Sequence, residues 1–213
     1  MRYAMCISMQ HCVACGSCAM ACKAENGTPP GSWWCKVYVR ETGTFPTARR
    51  VNLPMQCMHC KNPACVTVCP TGASYKDNDT GLVAVEYDKC MGCKYCLLAC
   101  PYNVRTYLEE IKPYYGDKGF TPFEEIAYKN HQAKVVEKCT FCAHRLKEGK
   151  EPACVATCPA YCRHFGDLDD PESEVSRLIR VEKYQPMMPE LGTEPSIFYQ
   201  GLLPLSELKS NAG

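Results

Sequence analysis

The chain has 213 residues, of which 46% are apolar and 22% charged, so it can bury a core and is not disordered. Lys and Arg number 24 against 23 Asp and Glu, and this net charge of +1 gives no basic excess for binding nucleic acid. No apolar run approaches the roughly 18 residues that a bilayer crossing needs, and residues 1–20 lack the apolar stretch of a secretory signal. Composition thus argues against a membrane-spanning subunit, a disordered tail protein and a nucleic-acid binder.

Short predicted strands and helices succeed one another along the chain. In order, residue alternation and turn signals predict a strand over Arg2–Ser8, a helix over Ser17–Glu25, a strand over Trp34–Arg40, a hairpin of Ala73–Tyr75 with Leu82–Tyr87, a helix around Tyr95–Cys100, a strand over Lys134–Glu137 and a helix over Glu172–Glu182. Residues 109–132 contain Pro, Gly and aromatic residues without clear periodicity, which predicts an inserted surface loop. Both a partner contact and an ordinary covering role stay open for this loop.

Cysteine is the unusual feature, with 19 residues or about 9% of the chain. Sixteen of them fall into four groups. The groups are Cys12, Cys15, Cys18 and Cys22; Cys57, Cys60, Cys65 and Cys69; Cys90, Cys93, Cys96 and Cys100; and Cys139, Cys142, Cys154 and Cys158. The first and third groups have the spacing C-x2-C-x2-C-x3-C. The remaining Cys6, Cys35 and Cys162 are predicted to be small buried residues.

The C-x2-C-x2-C-x3-C spacing is typical of bacterial ferredoxins. A short loop supplies three thiolates to one cubane, and the fourth cysteine begins a helix and ligates the other cluster of a pair. Pro follows the last cysteine in three of the four groups, as the pattern requires. Sixteen ligands predict four [4Fe–4S] clusters. Zinc ribbons leave the third cysteine of each C-x2-C-x2-C run without a role, and neighbouring cysteines at this spacing make poor disulfides, so both alternatives are weaker.

The four groups in this order, with Cys139-Thr-Phe-Cys-Ala-His-Arg145 and Cys158-Pro-Ala-Tyr-Cys-Arg-His-Phe-Gly-Asp-Leu168, closely resemble the iron–sulfur subunits of DMSO-reductase-type molybdopterin oxidoreductases. The resemblance covers about residues 1–172 and is greatest for polysulfide and thiosulfate reductase subunits. It implies four ligand sets, called sites 1 to 4 below. They are Cys12, Cys15, Cys18 and Cys158 (site 1); Cys57, Cys60, Cys65 and Cys100 (site 2); Cys90, Cys93, Cys96 and Cys69 (site 3); and Cys139, Cys142, Cys154 and Cys22 (site 4).

The predicted fold class is α+β, with two bacterial-ferredoxin-like dicluster domains, an inserted loop and an extended C-terminal tail. Residues 1–53 with 133–167 form the outer domain around groups one and four, and residues 54–108 form the inner domain around groups two and three. Residues 109–132 are the insertion, and residues 168–213 are a proline-containing tail expected to bind a partner. The clusters replace much of the apolar core, so folding should depend on their assembly.

The resemblance implies an electron-transfer subunit without catalytic activity, which binds neither molybdopterin nor a small-molecule substrate. Electrons would pass between a molybdopterin (Mo or W) catalytic subunit and a membrane quinone-linked anchor in anaerobic respiration, with polysulfide, thiosulfate, arsenate, tetrathionate or an aromatic hydroxyl compound as the terminal substrate. The alternative is a freestanding soluble polyferredoxin. A complex on the extracytoplasmic face, reached by partner-assisted export, is favoured over a cytoplasmic one.

Four clusters would change the charge of the chain from +1 to roughly −7, because each oxidised cubane with four thiolates carries about −2. Cations beside the ligands would offset this charge and tune the potentials. Lys23, Lys94, Arg105 and Arg145 are the candidates for this role. Ordinary surface placement is the competing interpretation for each of them.

Overall fold

The computed structural model describes residues 1–201. In chain order its elements are β1 (Tyr3–Ser8), α1 (Ser17–Asn26), β2 (Cys35–Thr42), β3 (Arg49–Gln56), α2 (Ala64–Thr67), β4 (Ser74–Lys76), β5 (Val83–Val85), α3 (Tyr95–Leu98), β6 (Arg105–Leu108), α4 (Pro122–Ala127), β7 (Val135–Lys138), α5 (Ala143–Lys147), α6 (Ala153–Ala156), β8 (Arg163–Asp167), α7 (Glu174–Val181), β9 (Gln185–Pro186) and β10 (Ile197–Gln200). The predicted strands and helices are confirmed to within a few residues at each end. Strands β3, β6, β8, β9 and β10 were not predicted.

The largest sheet has the strand order β8-β1-β10-β9. Strand β1 is antiparallel to β8 and parallel to β10, with Met5 opposite Ile197. Ile197 and Tyr199 are fully buried, and helix α7 packs against β8 and β1. The prediction of an extended tail is therefore wrong for residues 168–201, because their apolar side chains complete the core under the first strand. Residues 202–213 of that predicted tail lie outside the described residues.

Three two-stranded antiparallel sheets contain the remaining strands: β2 with β3, β4 with β5, and β6 with β7. The predicted turn between β4 and β5 is built by Asp77, whose Oδ1 accepts hydrogen bonds from the backbone N–H groups of Asp79 and Thr80 at 3.0 and 2.8 Å. This bonding lets a short polar run reverse the chain. Lys138 is the register partner of Arg105 in the β6–β7 pair, so two cations lie side by side.

The inserted segment 109–132 is more ordered than its lack of periodicity predicts. It contains α4, which begins with a capping box: Thr121 Oγ1 accepts the Glu124 N–H, and Glu124 Oε2 accepts the Thr121 N–H. The carboxylate of Glu124 is buried and also accepts the Tyr114 N–H at 2.7 Å. Ala127 occupies the space that a Cβ on Gly27 would need, so the insertion packs against the end of α1.

Cysteine-bearing helices pack in two pairs. Helix α1, which carries group-one cysteines, packs against α6 of group four, and α2 of group two packs against α3 of group three. One continuous core contains Cys18, Cys139 and Phe141 together with Met58 and Tyr102. The two predicted domains therefore share a core, and their division remains a prediction about how the cysteine groups pair. Among residues 1–201, no helix has both the length and the apolar character needed to cross a membrane.

Candidate metal centres

The four cysteine groups share a backbone feature that their spacings do not reveal. In each group the second residue after the first cysteine has a positive φ: Ala14 at 54°, His59 at 44°, Gly92 at 71° and Phe141 at 52°. A left-handed residue at this point costs free energy for any residue but glycine. The repetition of this conformation in all four groups curls each loop so that successive cysteines can face a common centre. Glycine is required at 92, where a Cβ would approach the Lys134 carbonyl oxygen to 2.5 Å.

Two cavities are lined by cysteines of different groups. The first is lined by Cys22, Cys139, Cys142 and Cys154, with Cys35 as a fifth cysteine. The second is lined by Cys69, Cys90, Cys93 and Cys96. Apart from Cys35, these are the residues predicted for sites 4 and 3, each combining three cysteines of one group with the last cysteine of another.

The cysteines predicted for site 2 influence one another electrostatically. Burial, followed by the charges of Cys57, Cys65 and Cys100, raises the pKa of Cys60 to about 12. Coulomb interactions weaken with distance, so this mutual influence agrees with the predicted set. The charge of Cys57 also acts on Cys139 of site 4, together with those of Cys22 and Cys154.

Cys162 lies beside cysteines predicted for site 1. Its Sγ lies 3.5 Å from Cys158 Sγ, and the charge of Cys12 also acts on it. Cys15 and Cys18 are neighbours in the same loop. A hydrogen bond with Cys35 and the charge of Arg163 outweigh burial and lower the pKa of Cys18 to about 5. Two of the three cysteines outside the groups, Cys35 and Cys162, thus lie beside site 1.

The donor set fits iron–sulfur clusters. Within residues 1–201, no three His, Cys, Asp or Glu side chains converge as ligands of a single metal ion. The thiols instead line two cavities, each with cysteines from two groups. Backbone and side-chain donors point at their sulfurs: the Ser74 N–H donates to Cys69 Sγ at 3.3 Å, the Phe141 N–H to Cys139 Sγ at 3.4 Å, and Asn26 Nδ2 to Cys22 Sγ at 3.6 Å. Such donors stabilise thiolate sulfur and favour the more reduced cluster.

A buried histidine adds a further donor. His59 is fully buried, with its ring centroid 4.0 Å from that of Phe141. Its Nδ1 accepts the Val83 N–H at 3.1 Å, so Nε2 carries the proton. In the described part of the chain, Nε2 has no hydrogen-bond partner. A buried N–H donor is thereby left available within the core shared by groups two and four.

The structure distributes the four tuning candidates unequally. Arg105 is buried, and its Nη2 lies 3.0 Å from Cys65 Sγ. Lys94 lines the site 3 cavity, with its amine 3.8 Å from the Tyr107 ring centroid. Arg145 pairs with Glu25 at 2.9 Å. Lys23 donates to the carbonyls of Thr28, Pro29 and Ser32 and so organises the loop after α1.

Two buried cations were not among these candidates. Arg163 Nη2 is 3.5 Å from Cys18 Sγ and its Nη1 is 3.9 Å from Cys154 Sγ. Lys138 Nζ donates to the Cys139 carbonyl at 2.8 Å, and the charges of Cys57 and Cys139 act on it. Comparison of the repeats could have found Arg163, because it follows Cys158 by the interval that separates Arg105 from Cys100.

Comparison with known proteins gives a consistent family. A family model described as a 4Fe-4S dicluster domain matches residues 49–114 and 118–168. The chain is 40% identical to a selenate reductase subunit of Mesobacillus selenatarsenatis, over 93% of this chain and 71% of the relative. It is 39% identical to the arsenate respiratory reductase iron–sulfur subunit of a Shewanella species, over 93% and 96%. It is 37% identical to a tetrathionate reductase subunit of Salmonella typhimurium, over 94% and 73%.

These matches confirm the predicted resemblance and the non-catalytic role. The chain binds 4Fe-4S clusters and transfers electrons as one subunit of a multi-subunit reductase that has a separate catalytic subunit. Cysteine spacing, cysteine-lined cavities and sequence similarity over more than nine-tenths of its length all agree. It belongs to the 4Fe-4S dicluster iron–sulfur subunits of the DMSO reductase family of molybdoenzymes.

Proposed function

We propose that the chain holds four [4Fe–4S] clusters in sites 1 to 4 and passes electrons through them in the order 1, 4, 2, 3. The observation that carries this proposal is the pair of cavities whose linings include all four cysteines of predicted sites 4 and 3. When bound, a [4Fe–4S] cluster supplies reversible one-electron transfer. The residues of the chain would hold each cluster, shield it from water and set its potential.

The order rests on side chains that lie at three junctions. Arg163 reaches Cys18 of site 1 and Cys154 of site 4. Lys138 donates to the carbonyl of Cys139 of site 4, and the charge of Cys57 of site 2 acts on it. Arg105 reaches Cys65 of site 2 and influences Cys96 of site 3. This sequence of contacts supports a single path with sites 1 and 3 at its ends.

The two ends of this path are the more exposed sites. Cys15 of site 1 and Cys93 of site 3 are exposed, whereas all four cysteines of site 4 are buried. Exposed apolar side chains flank both ends: Val13 and Met20 at site 1, and Met91, Tyr95 and Leu98 at site 3. Apolar patches of this kind favour protein contacts. The catalytic subunit would cover one end and a membrane anchor the other.

The predicted resemblance, together with the arsenate and tetrathionate reductase relatives, supports the proposed partners and substrate. The catalytic subunit would contain molybdopterin with Mo or W and reduce arsenate, tetrathionate, polysulfide, thiosulfate or an aromatic hydroxyl compound in anaerobic respiration. The complex would be membrane-associated, on the extracytoplasmic face after partner-assisted export, with a cytoplasmic location as the alternative. Protease accessibility of this subunit in intact spheroplasts distinguishes the two locations.

Metal content tests the central proposal. Anaerobic purification through a tag on this chain should give about sixteen irons per polypeptide and about one molybdenum or tungsten in a co-purifying large subunit. Cys154→Ala should lower the iron content by up to about four atoms, while Cys6→Ala, which removes a buried cysteine outside the four sets, should leave it unchanged. About sixteen irons without molybdenum, tungsten or any partner would instead favour the freestanding polyferredoxin. Zinc in place of iron would overturn both.

A further inference from the structure

Two buried arginines occupy equivalent places in the internal repeat. Arg105 follows Cys100 by five residues and Arg163 follows Cys158 by the same interval, in the runs Cys-Pro-Tyr-Asn-Val-Arg and Cys-Pro-Ala-Tyr-Cys-Arg. Each is the first residue of a strand, β6 and β8 respectively. The fold therefore places a guanidinium at one matching point in each pair of cysteine groups.

Arg163 contacts cysteines of two sites directly, and Arg105 reaches its second site through Ser74. The amino groups of Arg163 lie 3.5 Å from Cys18 Sγ of site 1 and 3.9 Å from Cys154 Sγ of site 4. One amino group of Arg105 lies 3.0 Å from Cys65 Sγ of site 2. The other donates to Ser74 Oγ at 2.8 Å, and the Ser74 N–H donates to Cys69 Sγ of site 3; the charge of Arg105 also acts on Cys96 of that site. The planar fork of arginine suits such a shared position better than the single charge of lysine.

Neither arginine has a carboxylate partner within residues 1–201. The remaining contacts of Arg163 are with Met5 Sδ at 3.5 Å, Gln56 Oε1 at 3.3 Å and Cys35 Sγ at 3.7 Å. Arg105 is directly opposite Lys138 in the β6–β7 pair, where like charges repel. Burying cations in this way is unfavourable unless negative charge surrounds them. The thiolates and clusters of two sites supply that charge.

We infer that Arg105 and Arg163 are each a cation shared by the two clusters of a pair, so that one side chain sets two potentials together. This inference rests on the proposed function and deepens it. A cation between two anionic sites lowers the cost of adding an electron to either of them. A tuning residue that touched a single site would move one potential only.

The test is a potentiometric titration of the purified complex, followed by the electron paramagnetic resonance of the reduced clusters. Arg163→Gln should shift two of the four midpoints to lower potential. At a fixed potential the reduced-to-oxidised ratio of each should fall by about tenfold, which is 59 mV for a one-electron couple. Arg105→Gln should shift the other two. The double variant Glu25→Gln with Arg145→Gln is the matched control: it removes a cation near Cys142 together with its paired carboxylate, so the local charge is unchanged and all four midpoints should remain.

Several results would overturn the inference. They are a shift of one midpoint alone in Arg163→Gln, the same two midpoints shifting in both arginine variants, or no shift in either. If Arg163→Gln loses iron, Arg163→Lys, which keeps the positive charge, is measured instead. Retention of all four clusters in Arg163→Lys, with both affected midpoints near their native values, supports a shared charge. Loss of iron from Arg163→Lys as well contradicts it. Iron content of the native complex bears on the four-cluster proposal alone, so the two failures can be told apart.

Discussion

Replacing Cys162 with alanine should lower the potential of one cluster. Its Sγ lies 3.5 Å from Cys158 Sγ and is buried, so its thiol can donate to this sulfur of site 1. Burial and the neighbouring Cys158 raise the pKa of Cys162, so it stays protonated as a donor at neutral pH. A thiol is a weak donor, and its bond to an anionic sulfur contributes about 0.5–1 kcal/mol. Because 1.4 kcal/mol corresponds to 59 mV for one electron, the midpoint should fall by about 20–40 mV.

The assay is the same titration of the intact complex, with Cys6→Ala as the matched control. Cys6 is also buried and outside the four sets, but its Sγ faces the Val175 carbonyl oxygen at 3.8 Å. Cys162→Ala should move one midpoint, and Cys6→Ala should move none. Unchanged midpoints in Cys162→Ala, or an equal shift in Cys6→Ala, would refute the hydrogen-bond reasoning.

Three further predictions concern stability. Glu137→Ala removes the partner of buried His131, whose Nδ1 lies 2.6 Å from Glu137 Oε1. It should lower the free energy of unfolding, measured with denaturant, by about 3–5 kcal/mol. Glu86→Gln, which breaks an exposed pair, should have no measurable effect, and equal losses of stability in the two variants would contradict the reasoning. Burial lowers the pKa of His131, but its hydrogen bond to Glu137 and the charge of Glu137 raise it more. The stabilisation from this pair should therefore be complete below pH 6.5 and decline as the pH rises through the raised pKa. His131→Asn should abolish that decline, and an unaltered dependence of stability on pH would refute the assignment. Ile197→Ala should lower the stability of the protein by about 2–5 kcal/mol, and Leu191→Ala, at a half-exposed position, by much less. Thermal unfolding followed by the visible absorbance measures both. Similar destabilisation by the two variants would argue against the parallel pairing of β10 with β1.

Removal of iron should unfold much of the chain. Five cysteines line one cavity and four line the other, in place of close-packed aliphatic side chains, so without clusters the surrounding helices lose their common support. Anaerobic chelation should therefore abolish most of the far-ultraviolet circular dichroism, and reconstitution with iron and sulfide should restore it. Retention of the native spectrum by the iron-free chain would contradict this expectation.

Local patterns predicted the cysteine groups, five of the ten strands and three of the seven helices within residues 1–201. Spacing alone indicated which cysteines share a loop, and the turn at Asp77 is encoded by side-chain bonding within four residues. The course of residues 168–201 could not be predicted in this way. Ile197 pairs with Met5 across almost the whole chain, and no local signal distinguishes a strand that joins a distant sheet from an extended tail.

Charge placement was predictable only in part. Sequence proximity to a cysteine correctly singled out Arg105, but it equally suggested Lys23 and Arg145, which direct their hydrogen bonds to carbonyl groups and to Glu25. Arg163 is buried through long-range packing, and its neighbour Cys18 belongs to another group. Which cation faces a sulfur depends on tertiary contacts, so nearness in sequence is a weak guide.

The pairing of the first strand has a consequence for biogenesis. Strand β1 leaves the ribosome early, but its two neighbours, β8 and β10, are synthesised only after residue 162. Until then both edges of an apolar strand are open to wrong partners. The cysteines at 57–100, by contrast, are all present while translation continues. Metal loading should therefore begin in the middle of the chain, and the terminal segments close around it last.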